Sequence, residues 1–344
     1  MNDSAGYVNE TLARYSDWLY ATSITVYVIA MVLFLMALGA ARFARIGARE
    51  TQAELVGAGT GASRGSGGTA VDDRVPGRVS GPQDRVSAGE RLGSMAFAVI
   101  IVGLVAHIGS VATRGFATDR APWGNMYEFI SLTCLAAVVA GVVFLRKQQW
   151  RPLLSFLLIP VVLLMFIGGK FLYTQAAPVV PALKSYWLAI HVSIISIATG
   201  VLFVAGVASV LYLVKNRWPS LGSDESATGA GAFFRRLVDH LPSAEALDKA
   251  AYRCTVIGFP LFGIGIICGA IWAEASWGRF WGWDPKETVS FIAWVIYAAY
   301  LHARATAGWR NAAAWISVAG FVALLFNLFI INLVVSGLHS YAGL

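Results

Sequence analysis

Eight stretches of the chain run almost unbroken in apolar residues for about the length that carries a helix across a bilayer core of roughly 30 Å. They fall near residues 18–40, 92–113, 127–145, 152–171, 186–214, 254–273, 288–301 and 312–336. Backbone groups inside lipid must find their partners within the segment, so each run predicts a helix. The pattern therefore predicts an all-α polytopic integral membrane protein with about eight transmembrane helices. The seventh run is the shortest, and Glu287 at one end and residues 302–304 at the other extend it by snorkelling. The polar interruptions divide the chain into an N-terminal segment with the first helix (1–40), a linker (41–91) and a seven-helix membrane domain (92–344) that contains a Trp-rich loop (272–287). Residues 50–89 are rich in Gly, Ala, Ser and Arg and are expected to be disordered. Residues 215–253 set Phe233, Phe234, Leu237 and Leu241 beside Arg235, Arg236 and Asp239, which suits a helix lying on the membrane surface.

Composition agrees with this reading. Among 344 residues, 57% are apolar and 13% charged, and the mean hydropathy is +0.65, far from the range of soluble domains. Charge then sets orientation. Nineteen of the 26 Lys and Arg residues fall in alternate connections, and the positive-inside rule puts those connections in the cytoplasm, with both termini and the Trp-rich loop outside the plasma membrane. The net charge of +7 follows from this bias and calls for no nucleic acid. The N-terminal residues lack the basic region and small-residue cleavage site of a secretory signal, so the first helix is expected to stay attached. Cys134, Cys254 and Cys268 lie in or beside apolar runs without a C-x-x-C pair, as small apolar residues do, so neither disulfide exchange nor thioether attachment of a prosthetic group to this chain is expected.

The loop WAEASWGRFWGWDPKE holds four tryptophans and five charged residues in sixteen positions. Interfacial anchoring accounts for single tryptophans. Four of them interleaved with charge suit a platform for a flat, amphipathic ligand such as haem. Asp284, Pro285 and Glu287 fall at N-cap, N1 and N3 of the following helix, a capping-box arrangement.

Five histidines occur, and neutral imidazole is a usual haem-iron ligand. His191 lies five residues into the fifth helix, which begins at Tyr186, and His339 follows the eighth, both at the outer end beside the Trp-rich loop, so two imidazoles can approach opposite faces of one haem. His302 lies toward the cytoplasmic end of the seventh helix and is either a ligand elsewhere or a headgroup-reaching side chain. His107 reads more simply as a packing residue and His240 as a surface one. Arg279, Lys286, Arg114 and Arg120 are candidate partners for haem propionates, although Arg120 reads more simply as loop charge.

Residues 277–287 resemble the WWD signature of the haem-handling proteins of cytochrome c maturation, and are most similar to the CcsA/ResC branch of the System II cytochrome c synthase. Further elements match in family order: Pro122 to Glu128 resembles its P-x-x-N-x-Y-E element, Tyr186 to His191 its first external histidine segment, Tyr300 to Arg304 its transmembrane histidine, and Gly337 to Ser340 its second external histidine. The resemblance implies a protein that takes haem b, bound non-covalently, from the cytoplasmic side and presents it outside for thioether attachment to an apocytochrome c with a C-x-x-C-H segment. It implies that His191 and His339 are axial ligands of an external haem, with Trp272, Trp277, Arg279, Trp281, Trp283 and Asp284 forming its platform. His302 is implied to serve an inner haem site completed by a ResB/Ccs1-type membrane partner. The apocytochrome thiols must arrive reduced, so a thiol-reducing protein is implied as well. Alternatives are a System I type haem-delivery protein, a membrane electron-transfer cytochrome, in which two histidines usually share one helix, and a transporter gated by its aromatic loop.

Overall fold

A computed structural model describes residues 8–59, 88–147, 150–178, 183–221, 238 and 241–339, with backbone alone for 39–59, 88 and 218–221. Eight long helices account for nearly all of it: α1 (Glu10–Gly59), α2 (Ala88–Thr118), α3 (Met126–Phe144), α4 (Leu153–Phe171), α5 (Tyr186–Leu221), α6 (Ala244–Trp277), α7 (Pro285–Ala305) and α8 (Arg310–Leu333). Seven are long and apolar enough to cross a membrane. The exception is α7, whose 21 residues span about 31 Å at the α-helical rise but include Lys286, Glu287, Ser290, His302 and Arg304. The structure thus supports a polytopic membrane protein, with α7 set apart by its polarity.

The helices pack as two groups. In one, α1 lies along α2 and α4; in the other, α5 lies along α6, and α7 along α8. Helix α3 joins them through α5. That joint depends on Gly200, where a Cβ would come within 2.5 Å of the Ala137 backbone nitrogen. Lipid tails are as apolar as side chains, so close backbone approach over small residues replaces the hydrophobic drive between helices. Large apolar side chains turn outward instead, among them Val105, Phe166, Ile267 and Phe326, as a lipid-facing belt requires.

Residues 41–59 of the expected linker continue α1 as helix, in keeping with their Ala, Arg, Glu, Gln and Leu content. Residues 60–87 lie outside the described residues, as do His240 and most of the expected surface helix.

Candidate functional site

The Trp-rich segment is framed by two helix ends. Helix α6 stops at Gly278, whose left-handed φ of 72° lets its amide bond to the Glu274 carbonyl at 2.8 Å. Helix α7 starts at Asp284, which accepts from the Lys286 amide at 3.1 Å while Glu287 accepts from the Asp284 amide at 3.1 Å. Glu287 also takes the Gly282 amide at 2.9 Å and pairs with Arg279 at 3.5 Å. The Arg279 guanidinium lies directly over Gly282. Arg279 and Glu287 therefore pin the short chain between the two helices.

Beneath this segment lies a cavity of about 140 Å³, walled by the first turns of α3, α5 and α7 and the last turns of α6 and α8. His191, His339, Trp272, Trp277, Trp281 and Lys286 all line it, together with Trp123 and Phe129. Trp283 does not. It is 67% exposed, has a φ of 57°, and sets its ring edge-on to Trp281 at the outer rim. Arg279 also stays out of the lining.

Each histidine is oriented by a bond at Nδ1. His191 donates through Nδ1 to the Gly265 carbonyl of α6 at 2.8 Å, and its ring lies parallel to Trp272, with centroids 6.2 Å apart. Gly269 makes room for that ring, because a Cβ there would sit 2.6 Å from His191 Cε1. His339 donates through Nδ1 to Asp284 Oδ1 at 2.8 Å. Its ring stands edge-on to Trp277 at 5.3 Å and tilted to Trp272 at 6.0 Å. A neutral imidazole that donates through Nδ1 carries its lone pair on Nε2, the arrangement a metal ligand needs. Buried Trp272 is thus in ring contact with both imidazoles.

Asp284 does more than cap a helix. Its Oδ2 accepts from the Leu338 amide at 2.7 Å, so the aspartate ties the segment after α8 to the start of α7 and aims His339. Burial opposes its charge, but the bonds from His339, Leu338 and Lys286 outweigh that and hold the carboxyl down at about 2. Burial pushes the His339 imidazole below its ordinary value, with Asp284 working against the shift. Burial drives the Lys286 ammonium down to about 8. Lys286 donates to Asn332 Oδ1 and lies 5.4 Å from the Phe129 ring centre.

The segment from Pro122 to Glu128 forms one rim of the cavity. Asn125 caps α3 by accepting from the Glu128 amide at 2.9 Å. Buried Glu128 pairs with Arg114 at 2.9 Å and Arg120 at 2.8 Å, and accepts from the Gly124 amide at 2.8 Å. Both arginines are thereby engaged with Glu128; Arg120 is a clamp residue rather than the loop charge its position suggested. His107 is fully buried between Tyr27 (3.3 Å) and Ser131 (3.0 Å), a packing histidine.

His302 is exposed in the last turn of α7, about 25 Å along the helix from Pro285 at 1.5 Å per residue. The neighbouring Arg304 makes a two-pronged pair with Asp248 of α6, at 2.9 and 2.6 Å, which fixes this end of α7. His302 and the cavity are therefore separate places. Sequence reasoning missed the Asp284–His339 bond, the Gly269 seat and the Asn327–Asn332 face of α8. The first joins residues 55 positions apart, for which no local pattern exists.

The family described as "Cytochrome C assembly protein" matches residues 123–339. The chain is 34% identical over 307 residues to the cytochrome c biogenesis protein CcsA of Gloeobacter violaceus, covering 76% of this chain and 89% of that one. It is 32% identical to the CcsA of Porphyra purpurea, covering 76% and 90%, and 33% identical to that of Synechococcus sp. (strain CC9902), covering 74% and 89%. Among solved structures, "Cytochrome c Heme Lyase CcmF" superposes with a TM-score of 0.53 at 17% identity, over 92% of this chain and 48% of that one. That likeness is one of fold, and this chain spans about half the length of that protein.

Proposed function

The chain belongs to the cytochrome c assembly family and is of the CcsA type; from that membership and the cavity's geometry we propose that it binds haem b as cargo and presents it on the outer side of the plasma membrane for attachment to apocytochrome c. The observation that carries this reading is the pair His191 and His339: both line one cavity, both contact Trp272, and both donate through Nδ1 to a fixed acceptor. They are the axial ligands, Trp272, Trp277 and Trp281 the platform, Trp283 the outer rim, and Asp284 a positioning residue acting through His339. Arg279 contributes by holding the loop with Glu287.

Here the protein works by placement. Each apocytochrome thiol adds across a haem vinyl group, its S–H bond and the vinyl π bond giving way to one C–S and one C–H bond with no net oxidation. What the chain supplies is a held macrocycle, an excluded solvent and an iron whose ligand the C-x-x-C-H histidine replaces. Exposed His302, at the far end of α7, belongs to an inner haem site completed by a ResB/Ccs1-type partner, and a thiol-reducing protein keeps the apocytochrome cysteines reduced. The CcsA relatives, matched over about nine-tenths of their length, favour this System II reading over System I delivery. No described helix carries the two lumen-facing histidines of a stacked-haem electron carrier.

The test is co-expression with the partner and an apocytochrome, scoring covalent haem on a denaturing gel. His191→Ala and His339→Ala should each abolish attachment, with partial return on added imidazole, and His302→Ala should lower it by starving the outer site. Full attachment in both outer variants refutes the ligand assignment.

A further inference from the structure

Lys286 is half-buried in the cavity wall, yet among the described residues its ammonium makes no ion pair; it has one amide oxygen, on Asn332, and the face of Phe129. An ammonium has three protons to place, and a buried cation without an anion is costly. The nearby carboxylates are already engaged: Asp284 with His339 and Leu338, Glu287 with Arg279 and the loop amides. The same stretch of wall carries other unmet polarity. Asn327 Oδ1 and Thr133 Oγ1 are buried without a partner, and both residues line the cavity. Asn327 donates to Ser290 at 2.8 Å, and Asn332 donates to the Leu328 carbonyl at 2.7 Å, so Ser290, Asn327, Asn332 and Lys286 form a polar strip along the α7–α8 seam. The rest of the lining is mostly aromatic or aliphatic; besides the two histidines its polar members are Asn125, Thr133, Thr199 and Glu287, whose carboxylate is taken up by Arg279 and the loop amides. A wall of this kind suits a ligand that is apolar over most of its surface and anionic at one edge.

We propose that Lys286 is the anion anchor of the cavity, pairing with a carboxylate of the ligand held between His191 and His339 and so fixing which edge of that ligand faces the α7–α8 seam. This rests on the haem reading above and deepens it: the anchored groups are the haem propionates, and the vinyl edge is turned away from the seam toward the incoming thiols. Arg279, held by Glu287 outside the lining, is relieved of that role. The pairing also supplies specificity, because a macrocycle without free carboxylates would cover the ammonium without pairing it.

The experiment titrates the purified full-length protein with ferric haem and, separately, with its dimethyl ester, following the absorption of the low-spin complex. Wild type should prefer the free acid by about ten- to a hundredfold, the span of a charge-assisted hydrogen bond. Lys286→Met should erase that preference while keeping the low-spin spectrum with either ligand, and Lys286→Arg should keep it. Size-exclusion profiles of the variants guard against misfolding, and Lys286→Arg carries the test if Lys286→Met does not fold. A low-spin wild-type complex that binds acid and ester equally overturns the Lys286 assignment alone, as does a Lys286→Met variant that retains the wild-type preference. A wild type that gives no low-spin complex with either ligand overturns the haem site itself and the anchor with it.

Discussion

Gly269 shows how closely the His191 imidazole is seated. Alanine there favours the helix by roughly 1 kcal/mol, so α6 does not lose stability from propensity, but the new Cβ would stand 2.6 Å from one ring atom and 2.8 Å from another. Gly269→Ala should therefore leave the thermal midpoint nearly unchanged and weaken the low-spin haem band; an undiminished band shows that the ring has room to shift. Most of these residues could be singled out one at a time, and the structure brings His191, His339 and three of the four loop tryptophans to one cavity. The cations were not. Arg279 and Lys286 are seven positions apart in a single charged loop, and which of them faces inward depends on the turn after Gly278 and on the helical phase set by the Asp284 cap. Neither is a local property of composition.

At the scale of the elements, hydropathy located each helix but not its ends. An apolar run marks the part in lipid, whereas α6 begins ten residues before Cys254 and α1 runs on to Gly59 through polar helix formers. The ends are fixed by polar bonds instead. The Glu128 clamp is the strongest of these, joining α2, the connection after it and the start of α3. Removing the carboxylate leaves Arg114, 2% exposed, beside Asp17 at 3.6 Å as its remaining ion-pair partner. Glu128→Ala should cost about 3–5 kcal/mol, as breaking a buried pair does, seen as a large fall in the thermal midpoint. Glu245→Ala, which breaks a pair of two exposed residues on one helix turn, should scarcely move it. Equal effects of the two substitutions contradict the clamp.

For the whole molecule, function depends on which way the bundle faces. The bias of Lys and Arg toward alternate connections predicts that the Trp-rich loop lies outside, and an impermeant maleimide tests this on intact cells. Trp283→Cys, at an exposed position, should label without permeabilisation, and Ala307→Cys, after the far end of α7, only with it; the reverse pattern turns the molecule over. The central claim of the proposed function is that His191 and His339, which line one cavity, grip a single haem iron. The most direct measurement is the absorption and electron paramagnetic resonance spectrum of the haem-loaded protein. Wild type should be six-coordinate and low-spin, and His191→Ala and His339→Ala should each turn it high-spin, with imidazole restoring the original signal. An unchanged low-spin spectrum in both variants contradicts the claim.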